Sequence, residues 1–202
     1  MKRSRGYTII EVMMSLAVLA VGATGVIALQ KVALVGNTSA RLGDGARQVA
    51  STWIERLKAD AIQWNDPLGA FDINDTQFLQ LAGEYNGQPA PAWKVAPEVV
   101  ASRASPVADI HGVDVLVTDP QEIGVFCTHL FLGKDIAKPF DLTANGNPHK
   151  IAIRATVRVI WRLDRAPISE CRDTPPNNME LNDGQYGFYY LTTIIRQDEA
   201  SL

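Results

Sequence analysis

Residues 12–30 read VMMSLAVLAVGATGVIALQ, a run of 19 residues without a charge, bracketed by Glu11 and Lys31. As a helix this run covers roughly 28 Å, about the hydrocarbon thickness of a bilayer. Its Val, Leu, Ile, Met and Ala residues occur all round the helix and leave no polar stripe. Such a helix belongs in a membrane or in the centre of a large core. The rest of a 202-residue chain is too small to enclose it. Lys2, Arg3 and Arg5 lie just before the run. The positive-inside bias therefore places the N-terminus in the cytoplasm and residues 32–202 across the membrane.

Charge divides the chain in the same way. The whole chain carries −3. Residues 1–31 hold Lys2, Arg3, Arg5 and Lys31 against Glu11, a net +3, which leaves −6 on the remainder. An acidic remainder lacks the basic footprint of a general nucleic-acid binder. Length suggests one domain with an appendage. An ordinary secretory signal would have a shorter apolar stretch, followed by a small-residue cleavage site. It would have no use for a carboxylate at Glu11.

Ahead of the run stand the basic leader Met1–Arg5 and the residues Gly6-Tyr7-Thr8-Ile9-Ile10-Glu11-Val12. This resembles the class III signal of type IV prepilins and pseudopilins. The resemblance implies that a prepilin peptidase cuts between Gly6 and Tyr7 and that Tyr7, where the family usually has Phe, is N-methylated. Glu11 is then the fifth mature residue. It would pair with the N-terminal amine of a neighbouring subunit during assembly. A buried carboxylate needs such a partner, because an unpaired buried charge is strongly destabilising. Gly22 and Gly25 are either ordinary membrane-helix glycines or points of local bending or close helix approach.

Beyond the run, residues 36–45 (GNTSARLGDG) carry three glycines and predict a weak helix. Leu42, Ala46, Val49, Ala50, Trp53, Leu57 and Ala61 then recur at helical spacing, and Asn65-Asp66-Pro67 should end the helix. The expected organisation is a leader (1–6), a transmembrane and assembly helix (7–35), an amphipathic stalk helix (36–63) and a periplasmic globular head (64–202). Residues 64–111 read as irregular. Strands are expected at Val113–Val117, Ile123–Leu132, Ile151–Arg162 and Phe188–Ile195. The fold class is α+β, a pilin-like roll in which a long N-terminal helix packs on an antiparallel sheet of about four strands.

Along Ile151–Arg162, alternation puts Ile151, Ile153, Ala155, Val157, Val159 and Trp161 on one face. Arg154, Arg158 and Arg162 fall on the other. These arginines read as the solvated face of a sheet, or as a cationic strip that meets an acidic partner subunit. Cys127 and Cys171 can pair in an oxidising periplasm, for roughly 4 kcal/mol on the chain-entropy model. The resemblance implies such a staple, and two unpaired buried thiols are the alternative. His111, His129 and His149 lack zinc-site spacing, and His129 in a strand reads as structural. Asp72-Ile73-Asn74-Asp75 lacks the glycine and closing glutamate of a calcium loop. No nucleophile elbow, P-loop or dinucleotide fingerprint occurs, so neither a metal nor a cofactor is expected and the chain does not read as an enzyme.

The strand Val157–Arg162, a Cys-containing loop and a closing strand resemble the PilV-type minor pilins of type IVa pili. They resemble less closely the minor pseudopilin of type II secretion. The resemblance implies a minor-pilin complex that primes pilus assembly and sits at the tip, supporting adhesion or twitching motility. Its implied partners are the prepilin peptidase, other minor pilins, the major pilin, the assembly platform and a tip adhesin. A signal-anchored periplasmic enzyme is the competing reading from another class.

Overall fold

The computed structural model describes residues 8–64, 76–83, 93–120, 123–133, 152–172 and 184–196. The chain divides into two compact units, Met1–Arg41 and Leu42–Leu202. Its elements are α1 (Ile9–Trp64), α2 (Gln80–Gly83), β1 (Lys94–Val95), β2 (Val107–Ala108), β3 (Phe126–Gly133), β4 (Ala152–Arg162) and β5 (Tyr186–Arg196). A 3-10 turn occupies Ser169–Cys171. This is an α+β, pilin-like arrangement of one long N-terminal helix and an antiparallel sheet.

In the first unit the α1 side chains from Ile9 to Asn37 are all exposed. The hydroxyls of Ser15 and Thr24 donate to the carbonyls of Glu11 and Val21, each at 2.8 Å. Polar hydroxyls in an apolar helix are thus satisfied within the helix, as a hydrocarbon environment requires.

The second unit begins where α1 gains a buried face. Leu42, Ala46, Val49, Ala50, Trp53, Leu57 and Ala61 are all buried. They form one core with Phe126, Leu130 and Leu132 of β3, Ile153, Ala155, Val157 and Val159 of β4, and Ile195 of β5. The period of 3.6 on the helix and of 2 on the strands meet at this layer. Trp53 is core, as its place in the helical pattern predicts, and stands edge-on to Phe78 at 5.5 Å.

Residues 36–45, where the sequence predicts a weak helix, are helical, and α1 runs through them unbroken. At Gly45 packing accounts for the glycine. A Cβ there would come within 2.8 Å of the Phe126 ring, so the missing side chain lets strand and helix approach. α1 ends at Trp64, immediately before Asn65-Asp66-Pro67.

Sheet order is β1-β3-β4-β5, all neighbours antiparallel, and β2 also pairs with β3. Among the described residues the sheet therefore has five strands, two of them dipeptides. The expected strand at Val113–Val117 is corrected to an isolated bridge between Ala108 and Asp114. The preceding turn explains the difference. Asp109 Oδ1 accepts the backbone N–H groups of His111 and Val113, and Gly112 adopts φ +77, a value that favours glycine. The turn brings Val115 N–H to the Val107 carbonyl at 2.8 Å, and no longer ladder follows.

The stretch read as irregular between 64 and 111 also holds structure: α2, β1 and β2. Asp60, buried on α1, accepts the backbone N–H groups of Gln77, Phe78 and Leu79, each at 2.7 Å. One carboxylate thus satisfies three orphan donors ahead of α2 and ties that segment to α1.

Candidate functional site

Gly6 and Tyr7 lie outside the described residues. Glu11 sits in the first turn of α1, where the partial positive charge of the helix N-terminus favours an anion. The Thr8 carbonyl accepts the N–H groups of Glu11 and Val12 at 3.1 and 3.3 Å, and Thr8 Oγ1 accepts Glu11 N–H at 3.4 Å. The sequence Thr8-Ile9-Ile10-Glu11 has the spacing of a capping box, a local helix-start signal at Glu11. Gly22 and Gly25 have no neighbouring atom where a Cβ would stand. This helix is long and apolar enough to cross a membrane.

In the head, one face of the sheet covers the core with α1, and the opposite face carries the chemistry. Cys127 of β3 and Cys171 form a disulfide, with Cα atoms 5.5 Å apart. It lies in a second apolar cluster with Val107, Val115, Ile160, Ile168 and Tyr186. The expectation that Arg154, Arg158 and Arg162 form one solvated strip is corrected at this point. Alternation assigned the face, but segments distant in sequence cover half of it.

Arg158 is fully buried. Its Nη2 donates to His129 Nδ1 at 2.8 Å, and its guanidinium lies 4.2 Å over the Trp93 ring. The cation is held by an aromatic face and an imidazole nitrogen, both effective partners out of water. Arg154 is exposed. Arg162 is half-buried and forms a two-point pair with Asp164, at 3.0 and 2.6 Å. That hydrogen bond holds the Asp164 carboxyl down at about 2, helped by the Ala166 N–H, and raises Arg162.

His129 is structural in the sense its strand position predicts, but it is also electrostatically constrained. Burial first, and the Arg158 charge second, lower its pKa to about 3. Since Arg158 can only donate, Nδ1 is the acceptor and Nε2 carries the proton. Nε2 lies 3.4 Å from Cys127 Sγ. The ligand atoms of Cys127, His129 and Cys171 lie within 4.8 Å of one another, which suits a metal in spacing. The donor set does not: the sulfurs are joined to each other, and the imidazole nitrogen facing them carries its hydrogen.

A second network fixes the Cys171 loop. Arg172 Nη2 donates to Glu98 Oε2 at 2.6 Å, to Ser105 Oγ at 3.2 Å and to the Val115 carbonyl at 2.9 Å. Glu98 also accepts the Val117 N–H at 2.8 Å. Burial raises the Glu98 pKa, but the Val117 N–H and Arg172 together outweigh it and leave the carboxyl below its ordinary value.

Sequence reasoning missed Trp93, Phe131 and Tyr190, whose rings gather on the outer face, with Trp93 5.5 Å from Phe131 and 6.0 Å from Tyr190. Phe131 and Tyr190 fall inside strand patterns. Trp93 follows a Pro-rich stretch with no periodic signal to mark it.

No curated protein and no solved structure matches the chain. Residues 1–27 match the prokaryotic N-terminal methylation motif. That motif implies processing by prepilin peptidase and association with a pilus or membrane, and with the apolar helix it suggests inner-membrane anchoring. Its family is structural rather than catalytic. The chain thus carries a class III prepilin signal over its first 27 residues, a membrane-length apolar helix and an α+β head, a combination consistent with a type IV pilin-like protein.

Proposed function

We propose that this chain is a minor pilin of a type IVa pilus, of the PilV type. It is cleaved after Gly6, N-methylated on Tyr7 and inserted in the inner membrane with a periplasmic head. It then joins other minor pilins in a complex that primes assembly and occupies the tip, in support of adhesion or twitching motility. The observation that carries this reading is the methylation motif leading directly into an α1 segment whose side chains are exposed from Ile9 to Asn37. Apolar surface on that scale must be covered by lipid or by neighbouring helices. A pilin exchanges the first cover for the second.

Glu11 is the pairing carboxylate in that exchange. Glu11→Ala is expected to leave leader cleavage intact and to reduce incorporation into pili, measured by immunoblotting sheared filaments. Normal incorporation would end the assembly role. Mass spectrometry of the mature N-terminus tests the processing, with N-methyl-tyrosine at Tyr7 as the expected species and an intact Met1 as the refuting one. The alternative is a minor pseudopilin of a type II secretion system. Deletion separates the two, through lost piliation in one case and lost secretion in the other.

A further inference from the structure

On the outer face of the sheet, away from the disulfide, lies a depression of about 280 Å³ lined by Trp93, Phe131, Arg154, Thr156 and Thr192. Its size is near the lower end of small-molecule sites, roughly 300–1,000 Å³. The strand register builds it in adjacent rows. Phe131, Thr156 and Thr192 are neighbours across β3, β4 and β5, and Thr156 Oγ1 lies 3.0 Å from Thr192 Oγ1. The next row is His129, Arg158 and Tyr190, and in it Arg158 clamps Trp93 from the buried side. On the other flank stands Arg154, exposed and, among the described residues, without a carboxylate partner.

We infer that this depression binds a carboxylate-bearing sugar, such as a uronic acid unit of an acidic glycan. The components match that chemistry group by group. Aromatic faces, one of them fixed in place by a buried guanidinium, suit the apolar C–H face of a pyranose ring. The paired threonine hydroxyls keep one proton to donate and lone pairs to accept, and suit ring hydroxyls. Arg154 offers a planar fork of donors to a carboxylate.

An extended acidic peptide fits less well. Peptides docked on sheets draw affinity from unpaired main-chain groups. Here the depression lies on a face of the sheet, and main-chain groups point along the sheet plane: β4 is laddered to β3 and β5, and the outer edge of β5, which ends the sheet order, does not open onto that face. Recognition therefore falls to side chains, which a sugar needs and a peptide main chain does not.

The test uses the full chain in detergent with its disulfide intact, titrated calorimetrically with trigalacturonate, maltotriose and hexaglutamate. Trigalacturonate should bind saturably and more tightly than the neutral maltotriose. Arg154→Gln should weaken it by about tenfold, through loss of a charge-assisted pair. Thr192→Val should weaken it less, and neither variant should move the unfolding midpoint. If Thr192→Val fails to fold, Arg154→Gln on the exposed rim still carries the test. Absence of trigalacturonate binding, equal binding of maltotriose, or equal binding by Arg154→Gln would overturn the inference. Tighter binding of hexaglutamate would overturn it in favour of an acidic protein partner.

Discussion

Lowering the pH from 7 to 5 should destabilise the head through one residue, His129. In the folded protein the imidazole is fully buried and its Nδ1 accepts from the Arg158 guanidinium. Burial and that charge hold its pKa at about 3. In the unfolded chain it returns to about 6.5. Below that value the unfolded state takes up a proton that the folded state refuses. The stability present above pH 6.5 is therefore lost progressively as the pH falls toward 3. With those two values the loss between pH 7 and pH 5 is about 2 kcal/mol. Glu98 does not confuse the window. Its lowered pKa retains stability above its unfolded value, about 4.3, and releases it only at more acid pH. The assay is guanidinium unfolding of the oxidised full chain in detergent, followed by tryptophan fluorescence at each pH. His129→Gln, which does not titrate, should flatten the curve over this interval by the same 2 kcal/mol. Parallel curves for the two proteins would refute the reasoning, as would an NMR titration in which His129 takes up its proton near pH 6.5.

Other perturbations test the packing. Asp60→Ala removes the acceptor shared by three backbone N–H groups ahead of α2 and should cost roughly 2–4 kcal/mol, read from the unfolding midpoint, with amide exchange accelerated at Gln77, Phe78 and Leu79. Gly187→Ala drives a Cβ into the Trp161 indole across the β4–β5 pair and should cost about 1–3 kcal/mol, accompanied by a change in near-ultraviolet circular dichroism. Reducing the Cys127–Cys171 bridge, whose ends are 44 residues apart, should lower stability by about 4 kcal/mol, measured by paired unfolding curves with and without reductant.

Legibility in the sequence followed the range of the interactions. The helix face from Leu42 to Ala61 was readable because its partners on the helix are three or four residues apart, and all seven positions are buried. Strands β3, β4 and β5 were readable as long apolar or alternating runs, though the run ahead of β3 begins several residues early. Dipeptide strands β1 and β2 offer no period to detect. The strand expected at Val113–Val117 is β-rich by composition, yet the turn before it allows only a single bridge.

The N-terminal motif was legible from chain order alone: the basic leader, Gly6, Glu11 and the uncharged run are contiguous, and a motif or a membrane helix is recognised from contiguous residues. Chain order also determined which side of β4 each residue occupies, because pleating fixes that alternation. Whether that side is wet follows from tertiary packing. The sequence pattern is the same for Arg154, Arg158 and Arg162, yet one is exposed, one buried against Trp93 and His129, and one paired with Asp164. Trp93 stands 65 residues before Arg158, and the cysteine that closes the neighbouring cluster follows β4 on a separate loop. Burial of one residue depends on which distant segments fold over it, and local alternation carries no record of them.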